Sequence, residues 1–206
     1  DMEGSRGLGD VYKRQGNRWA WVMAALFLSC NAEKNKKPNA ESDTSVKTQV
    51  SAPSFDADSA YAYVAQQVAF GPRVPNTPEH AACASWLASE LERHGAEVTV
   101  QEGRVRAFDG TILNMKNIVG TFHPESRDRI LLFAHWDTRP FADKDTVRLR
   151  EPIDGANDGA SGVGVLLEIA RQLGLGSADV GVDIVFFDAE DYGRPEWLPA
   201  MQDGYK

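Results

Sequence analysis

Val182-Asp-Ile-Val-Phe-Phe-Asp-Ala-Glu-Asp191 is an apolar run that ends in a burst of acid. It is the third of three such stretches, after Arg129-Ile-Leu-Leu-Phe-Ala-His-Trp-Asp137 and Gly155-Ala-Asn-Asp-Gly-Ala-Ser-Gly162. The two apolar runs, 129–134 and 182–187, have the length and β-branched or aromatic content of fully buried strands. Between them Asp158 to Leu173 reads as a helix opened by small residues, with Val163, Val165, Leu166, Ile169 and Leu173 inward. Two buried strands joined through a helix make a right-handed crossover, and hence a parallel pair. The fold class that follows is α/β, a mixed sheet with a parallel centre and helices on both faces.

Upstream, the pattern is consistent with that class. Ala57 to Ala69 has helical spacing, with Tyr61, Val64 and Val68 on one face, and Gly71-Pro72 stops it. Thr77-Pro78-Glu79 opens a second helix, with Thr as cap and Pro in the first turn. Its stripe is Ala82, Trp86, Leu87 and Leu91, and His94-Gly95 ends it. Cys83 falls one residue along from that stripe and reads as a small, partly buried hydrophobe. Glu97 to Glu102 alternates as a half-buried strand, and Leu113 to Phe122 reads as another. No internal repeat is visible.

Composition narrows the function. The 206 residues carry a net charge of −8 with no basic stripe, which argues against nucleic-acid binding. Two cysteines, Cys30 and Cys83, make neither a disulfide framework nor a cysteine zinc site. No stretch reaches the roughly 18 apolar residues of a membrane span.

The chain divides into four parts. Residues 1–15 are set aside, because Gly9-Asp-Val-Tyr-Lys-Arg-Gln15 reads back as a transposase end sequence used in preparing sequencing libraries. Residues 16–30 carry Asn17 and the basic Arg18, then a short apolar run from Trp19, then Ser29-Cys30, the pattern of an export signal ending in a lipidation site at Cys30. Residues 31–56 are polar and read as a flexible tether. Residues 57–206 are the domain, expected to be incomplete at its C-terminal end, because Tyr192 to Lys206 builds no further element.

Side chains just past the carboxyl ends of parallel strands converge on the ligand site of such sheets. His135 and Asp137 lie one and three residues beyond the first buried strand, and Asp137 can orient the imidazole from behind. Asp158 sits at a helix mouth, where a carboxylate serves as cap or as metal ligand. Asp188, Glu190 and Asp191 would repel one another unless a cation or shared protons offset them. Histidine with several carboxylates is a ligand set suited to zinc. In an extended segment Glu190 and Asp191 point opposite ways, so one can ligate metal while the other acts as base.

Taken together, His135-Trp-Asp137, Asn157-Asp158-Gly-Ala-Ser-Gly162 and Phe187-Asp-Ala-Glu190-Asp191 resemble the co-catalytic zinc aminopeptidase family and its glutaminyl cyclase branch. Phe70-Gly-Pro-Arg-Val-Pro75 and Ala134-His-Trp-Asp-Thr-Arg-Pro140 resemble bacterial glutaminyl-peptide cyclotransferases of the animal type within it. The resemblance covers residues 57–198. It implies that Asp158 and Asp191 are zinc ligands and that Glu190 is the general acid/base, with Asp188 a second catalytic candidate. It implies that His135 is a ligand in two-zinc peptidases and a structural neighbour in one-zinc cyclases. One Zn2+ is therefore expected for a cyclase, two for an aminopeptidase. Those peptidases carry Glu-Glu where this chain has Glu190-Asp191, and the family's remaining zinc histidine has no counterpart, since no His follows His135.

The reading that follows is a zinc glutaminyl cyclase acting on peptide or protein N-termini, exported and held to a membrane as a periplasmic or outer-membrane lipoprotein. The chain as it stands is expected to be weakly active or inactive. A two-zinc aminopeptidase is the first alternative and a non-catalytic binding module the second. Oligomeric state is left open.

Overall fold

The computed structural model describes residues 52–198 apart from residue 177. The set-aside start, the expected lipidation site at Cys30 and most of the expected tether lie outside the described residues. Among the described residues three helices and four strands follow in the order α1 (Ala57–Ala69), α2 (Pro78–Arg93), β1 (Glu97–Arg106), β2 (Ile112–Phe122), β3 (Arg129–His135), α3 (Ala160–Leu175) and β4 (Gly181–Phe187). Asp56 caps α1 by accepting the Ser59 N–H. Thr77 caps α2 by accepting the His80 N–H, with Pro78 in the first turn as the sequence predicts.

The strands form one sheet in the order β1-β2-β4-β3. β1 with β2 and β2 with β4 are antiparallel, and β3 with β4 is parallel, running in register from Arg129↔Gly181 to His135↔Phe187. The crossover from β3 through α3 to β4 is therefore present, and the fold is the expected α/β class with a mixed sheet. Among the described residues its parallel pair stands at one end of the sheet rather than at its centre.

The core forms where α2 covers β1 and β2 and α3 covers β3 and β4, with α1 packed on α3. Leu87 and Leu91 of α2, Ile118 of β2, Leu167 of α3, Ile184 and Phe186 of β4, and Trp136 are fully buried there. Alternation along β4 places Ile184 and Phe186 inward. All three helices stand on this one face. The other face, where helices are also expected, carries none among the described residues.

That difference corrects several burial expectations. β3 is not buried on both sides: among the described residues it is an edge strand, and Leu131 and Phe133 stand 57% and 64% exposed on the uncovered face. Val165 of α3 is also exposed, and Leu167 takes its place inward. In α1 Tyr61 points to solvent, while Ala60 and Gln67 are buried against α3. Ala82 is exposed, and the stripe of α2 runs instead through Cys83, Ala84, Leu87 and Leu91. β1 is mostly exposed and longer than expected, because it forms a projecting ribbon with β2.

The α1–α3 seam rests on one close approach. A Cβ built on Gly164 would lie 2.8 Å from the Ala60 carbonyl oxygen and 2.8 Å from a Val64 methyl. Gly164→Ala is therefore expected to destabilise the fold by about 1–3 kcal/mol through overpacking, measured as a lower urea midpoint at unchanged slope.

Candidate metal centre

The parallel register brings His135 and Phe187 side by side, and the Trp136 N–H continues the ladder to the Phe187 carbonyl at 3.0 Å. Beyond that pair both chains turn away, and α3 begins beside them at Gly159. All three acid-bearing stretches thus meet at the carboxyl ends of β3 and β4, where α/β sheets bind ligands.

Arg73 fastens these loops to one another. Its side chain is fully buried and bonds only to carbonyl oxygens. Nε donates to Trp136 O at 3.1 Å, Nη1 to Asp154 O at 2.8 Å and Nη2 to Gly155 O at 2.8 Å. The Thr138 N–H returns a bond to the Arg73 carbonyl at 3.2 Å. The small residues of the middle stretch have their reason here. Gly155, at φ +59°, would push a Cβ into Thr138 and to 2.8 Å from Arg73 Nη2. Gly159, at φ +93°, would put one 2.9 Å from the Asp137 carbonyl oxygen and 3.3 Å from the His135 ring.

Inside this frame His135 Nε2 lies 2.9 Å from Asp158 Oδ1. Its Nδ1 faces Asp137 Oδ1 at 3.5 Å and Glu190 Oε2 at 3.9 Å. Asp137, with Glu190 and Asp158 adding to it, outweighs burial and pushes the imidazole up to about 9. Asp137 is fully buried and has a second role: Oδ1 accepts the Glu190 N–H at 3.2 Å and Oδ2 the Asp191 N–H at 3.0 Å. It clamps the third stretch as well as backing the histidine.

Glu190 and Asp191 part company as expected. The Glu190 side chain is 65% exposed, whereas that of Asp191 is 11% exposed, with Oδ1 3.6 Å from Arg139 Nε. Burial first, then the negative charges of Asp158 and Asp137, push the Asp191 carboxyl up to about 6 against the pull of Arg139 and His135. Arg139 also reaches Asp143 at 3.4 Å.

Asp188 does not belong to this cluster, and its assignment as a catalytic candidate is corrected. Its carboxylate is buried, 2.9 and 3.0 Å from His80 Nε2, and accepts the N–H groups of Lys116 and Ala189 at 2.6 and 2.7 Å. Every lone pair within reach is spent inside the protein. Sequence patterning had no means of finding Arg73 or His80, because a buried polar side chain leaves no periodic signature. The hints were the segments that carry the resemblance: Arg73 stands in Phe70–Pro75 and Arg139 in Ala134–Pro140. Cys83 is fully buried rather than partly so, and burial pushes its thiol up to about 12, as for an inert small hydrophobe. Trp197 meets Phe141 edge-on at 5.4 Å, with Arg150 over its ring, on the loops beside Arg139.

The donor chemistry fits zinc. Asp191 Oδ2 and His135 Nδ1 are buried without a hydrogen-bond partner, and carboxylates crowd a site that repels their charge. The set is open, however: among the described residues no three His, Cys, Asp or Glu side chains are arranged to hold one ion together.

Residues 117–195 match Peptidase family M28. The chain is similar to the crystal structure of Tannerella forsythia glutaminyl cyclase, at 61% identity and TM-score 0.71 over 75% of this chain and 52% of that one. A Zn-dependent exopeptidase from Parabacteroides distasonis is 60% identical, at TM-score 0.71, over 73% of this chain and 52% of its own. Bacteroides thetaiotaomicron glutaminyl cyclase bound to N-acetylhistamine is 57% identical, at TM-score 0.71, over the same two shares, 73% and 52%. The chain thus spans about half the length of the solved structures it matches.

The raised imidazole pKa gives a signed expectation for the metal-free protein. Charge on His135 stabilises the fold in full below its ordinary 6.5, and that contribution is lost as pH rises through about 9. NMR of the ring should show a midpoint near 9, and Asp137→Asn should bring it back toward 6.5.

Proposed function

We propose that this chain, whose residues 117–195 are a segment of peptidase family M28, is part of a zinc-dependent glutaminyl cyclase that converts an N-terminal glutamine to pyroglutamate with release of ammonia. Similarity at 61% and 57% identity to two bacterial glutaminyl cyclases carries this reading. The site supports it: an exposed carboxylate, Glu190, stands beside the zinc-type donors His135, Asp158 and Asp191, and substrate can reach it from solvent.

Asp158 and Asp191 would hold the ion, with His135 beside them as a ligand or a neighbour. Zinc supplies Lewis-acid polarisation of the γ-carboxamide carbonyl. The chain's own part is proton traffic and placement. Glu190 takes the proton that the α-amine sheds as its nitrogen bonds to the γ-carbon. It returns that proton to the amide nitrogen as the carbon–nitrogen bond breaks and ammonia leaves. The nucleophile is the substrate's own amine, so no water is consumed. Asp137 keeps the Glu190 and Asp191 backbone fixed through both transfers.

An aminopeptidase acting with two zinc ions is the second reading, favoured by the 60% identity to a Zn-dependent exopeptidase. In that chemistry Glu190 would activate a water, and His135 would be a ligand. A binding module that keeps the fold without turnover is the third.

Full-length protein supplied with zinc and a Gln-initiated peptide separates the three. A cyclase releases ammonia and leaves the peptide's residue count unchanged; a peptidase releases free glutamine; a binding module does neither. Glu190→Gln should lower turnover by about 10²–10⁴-fold at unchanged zinc content. Retained activity would remove Glu190 from the mechanism.

The same proposal makes the protein an exported lipoprotein anchored through Cys30, supported by the apolar run before Ser29-Cys30 and the polar stretch after it. Cys30→Ala should shift it from the membrane to the soluble fraction of cells. Membrane retention of that variant would sink the anchor.

A further inference from the structure

The turn that carries Glu190 and Asp191 is gripped from a side that the proposed chemistry does not use. β4 leaves its ladder with β2 at the Ile118↔Phe186 pair. Beyond that pair, side chains replace main-chain pairing. Asp188 Oδ2 accepts the Lys116 N–H at 2.6 Å, Asn117 Oδ1 accepts the Asp188 N–H at 3.0 Å, and Asp188 Oδ1 accepts the Ala189 N–H at 2.7 Å. The chain then passes through Ala189 at φ +62°, a left-handed conformation that alanine rarely adopts. Only after this residue do the next two N–H groups reach Asp137.

Asp188 is itself fixed by a residue of a different element. His80, in the first turn of α2, is 2% exposed and sets Nε2 at 2.9 and 3.0 Å from the two Asp188 oxygens. Its ring stacks on Trp136 at 4.4 Å, and the Trp136 indole N–H donates to the Lys116 carbonyl at 3.1 Å. His80 therefore touches the residue between His135 and Asp137 and the carboxylate two residues before Glu190. It contacts none of the three site groups directly.

We propose that His80 is a positioning residue for this centre: by holding the Asp188 carboxylate it keeps Ala189 in its left-handed conformation and so sets the direction of Glu190 and Asp191. A purely structural role would predict uniform loosening when His80 is changed. A positioning role predicts loss confined to the turn, and rescue when the strain at residue 189 is removed, since glycine adopts positive φ freely.

The test uses His80→Gln, His80→Leu, Ala189→Gly and the double variant His80→Leu/Ala189→Gly. Amide exchange of the metal-free protein is the first readout. Zinc affinity by calorimetry is the second, and only this one rests on the zinc reading. His80→Gln keeps a donor for Asp188 and should hold protection at residues 189–191 within about threefold. His80→Leu should lower it there by about tenfold or more, while Ile184 and Phe186 keep theirs. The double variant should regain most of the lost protection, and most of the lost zinc affinity. Should His80→Leu fail to fold, His80→Asn, too short to reach Asp188, supplies the same comparison with His80→Gln. Uniform loss across the sheet, unchanged exchange at 189–191, or no rescue by Ala189→Gly would overturn the proposal. If the unchanged protein binds no zinc, the metal reading falls while the exchange result still decides the role of His80.

Discussion

A single buried guanidinium holds the functional end of this molecule together. Taking a charge out of water costs several kcal/mol unless its surroundings replace the lost solvation. Arg73 meets that demand with carbonyl dipoles alone, drawn from residues 67, 71, 136, 154 and 155. Arginine is the one side chain with five donors in a rigid planar fork, so it can bind carbonyls that arrive from separate directions. A lysine would bring the charge without the fork. Since the 136–138 segment includes Asp137, which in turn clamps the N–H groups of Glu190 and Asp191, the placement of all three acid-bearing stretches traces back to this residue.

The site then divides its acids by what they accept. Asp137 and Asp188 are buried and spend their oxygens on backbone N–H groups, which fixes the loop that follows β4. Asp158, Glu190 and Asp191 are left with lone pairs unspent. Of these, Asp191 is mostly walled from solvent and lies beside the negative charges of Asp158 and Asp137, so its anion is destabilised, which is the condition that favours a bound cation. The geometry of the loop, held by Asp137 and Asp188, does not depend on one.

How much of this could be read from the amino acids varies by element. The crossover was legible, because Val182 to Phe187 has the length and the β-branched and aromatic content of a buried strand, and the segment before it has helical spacing. The burial of Arg129 to Ala134 was not legible: an apolar run reads the same whether one or both of its faces are covered, and Leu131 and Phe133 prove open here. His135, Asp158, Glu190 and Asp191 could be picked out, because chemistry-bearing residues beyond strand ends are recognisable by type and place. Asp188 was indistinguishable from its neighbours in sequence; what separates it is a histidine 108 residues earlier in the chain. Arg73 shows the same limit, since its partners other than Gln67 and Gly71 lie 63 to 82 residues away and no local pattern marks them.

The strand order β1-β2-β4-β3 has a consequence for how the protein is made. The last strand of the described fold inserts between two that precede it, so neither β2 nor β3 has its inner partner until residues 181–187 have left the ribosome. Until then the β1–β2 ribbon and the β3–α3 segment are synthesised as separate pieces with open hydrogen-bonding edges, exposed to mispairing. Sheet closure and assembly of the site are then one event, because the same strand that fills the gap delivers Glu190 and Asp191. A nascent chain that stops short of β4 carries His135 and Asp158 but lacks the strand that sets Glu190 and Asp191 beside them.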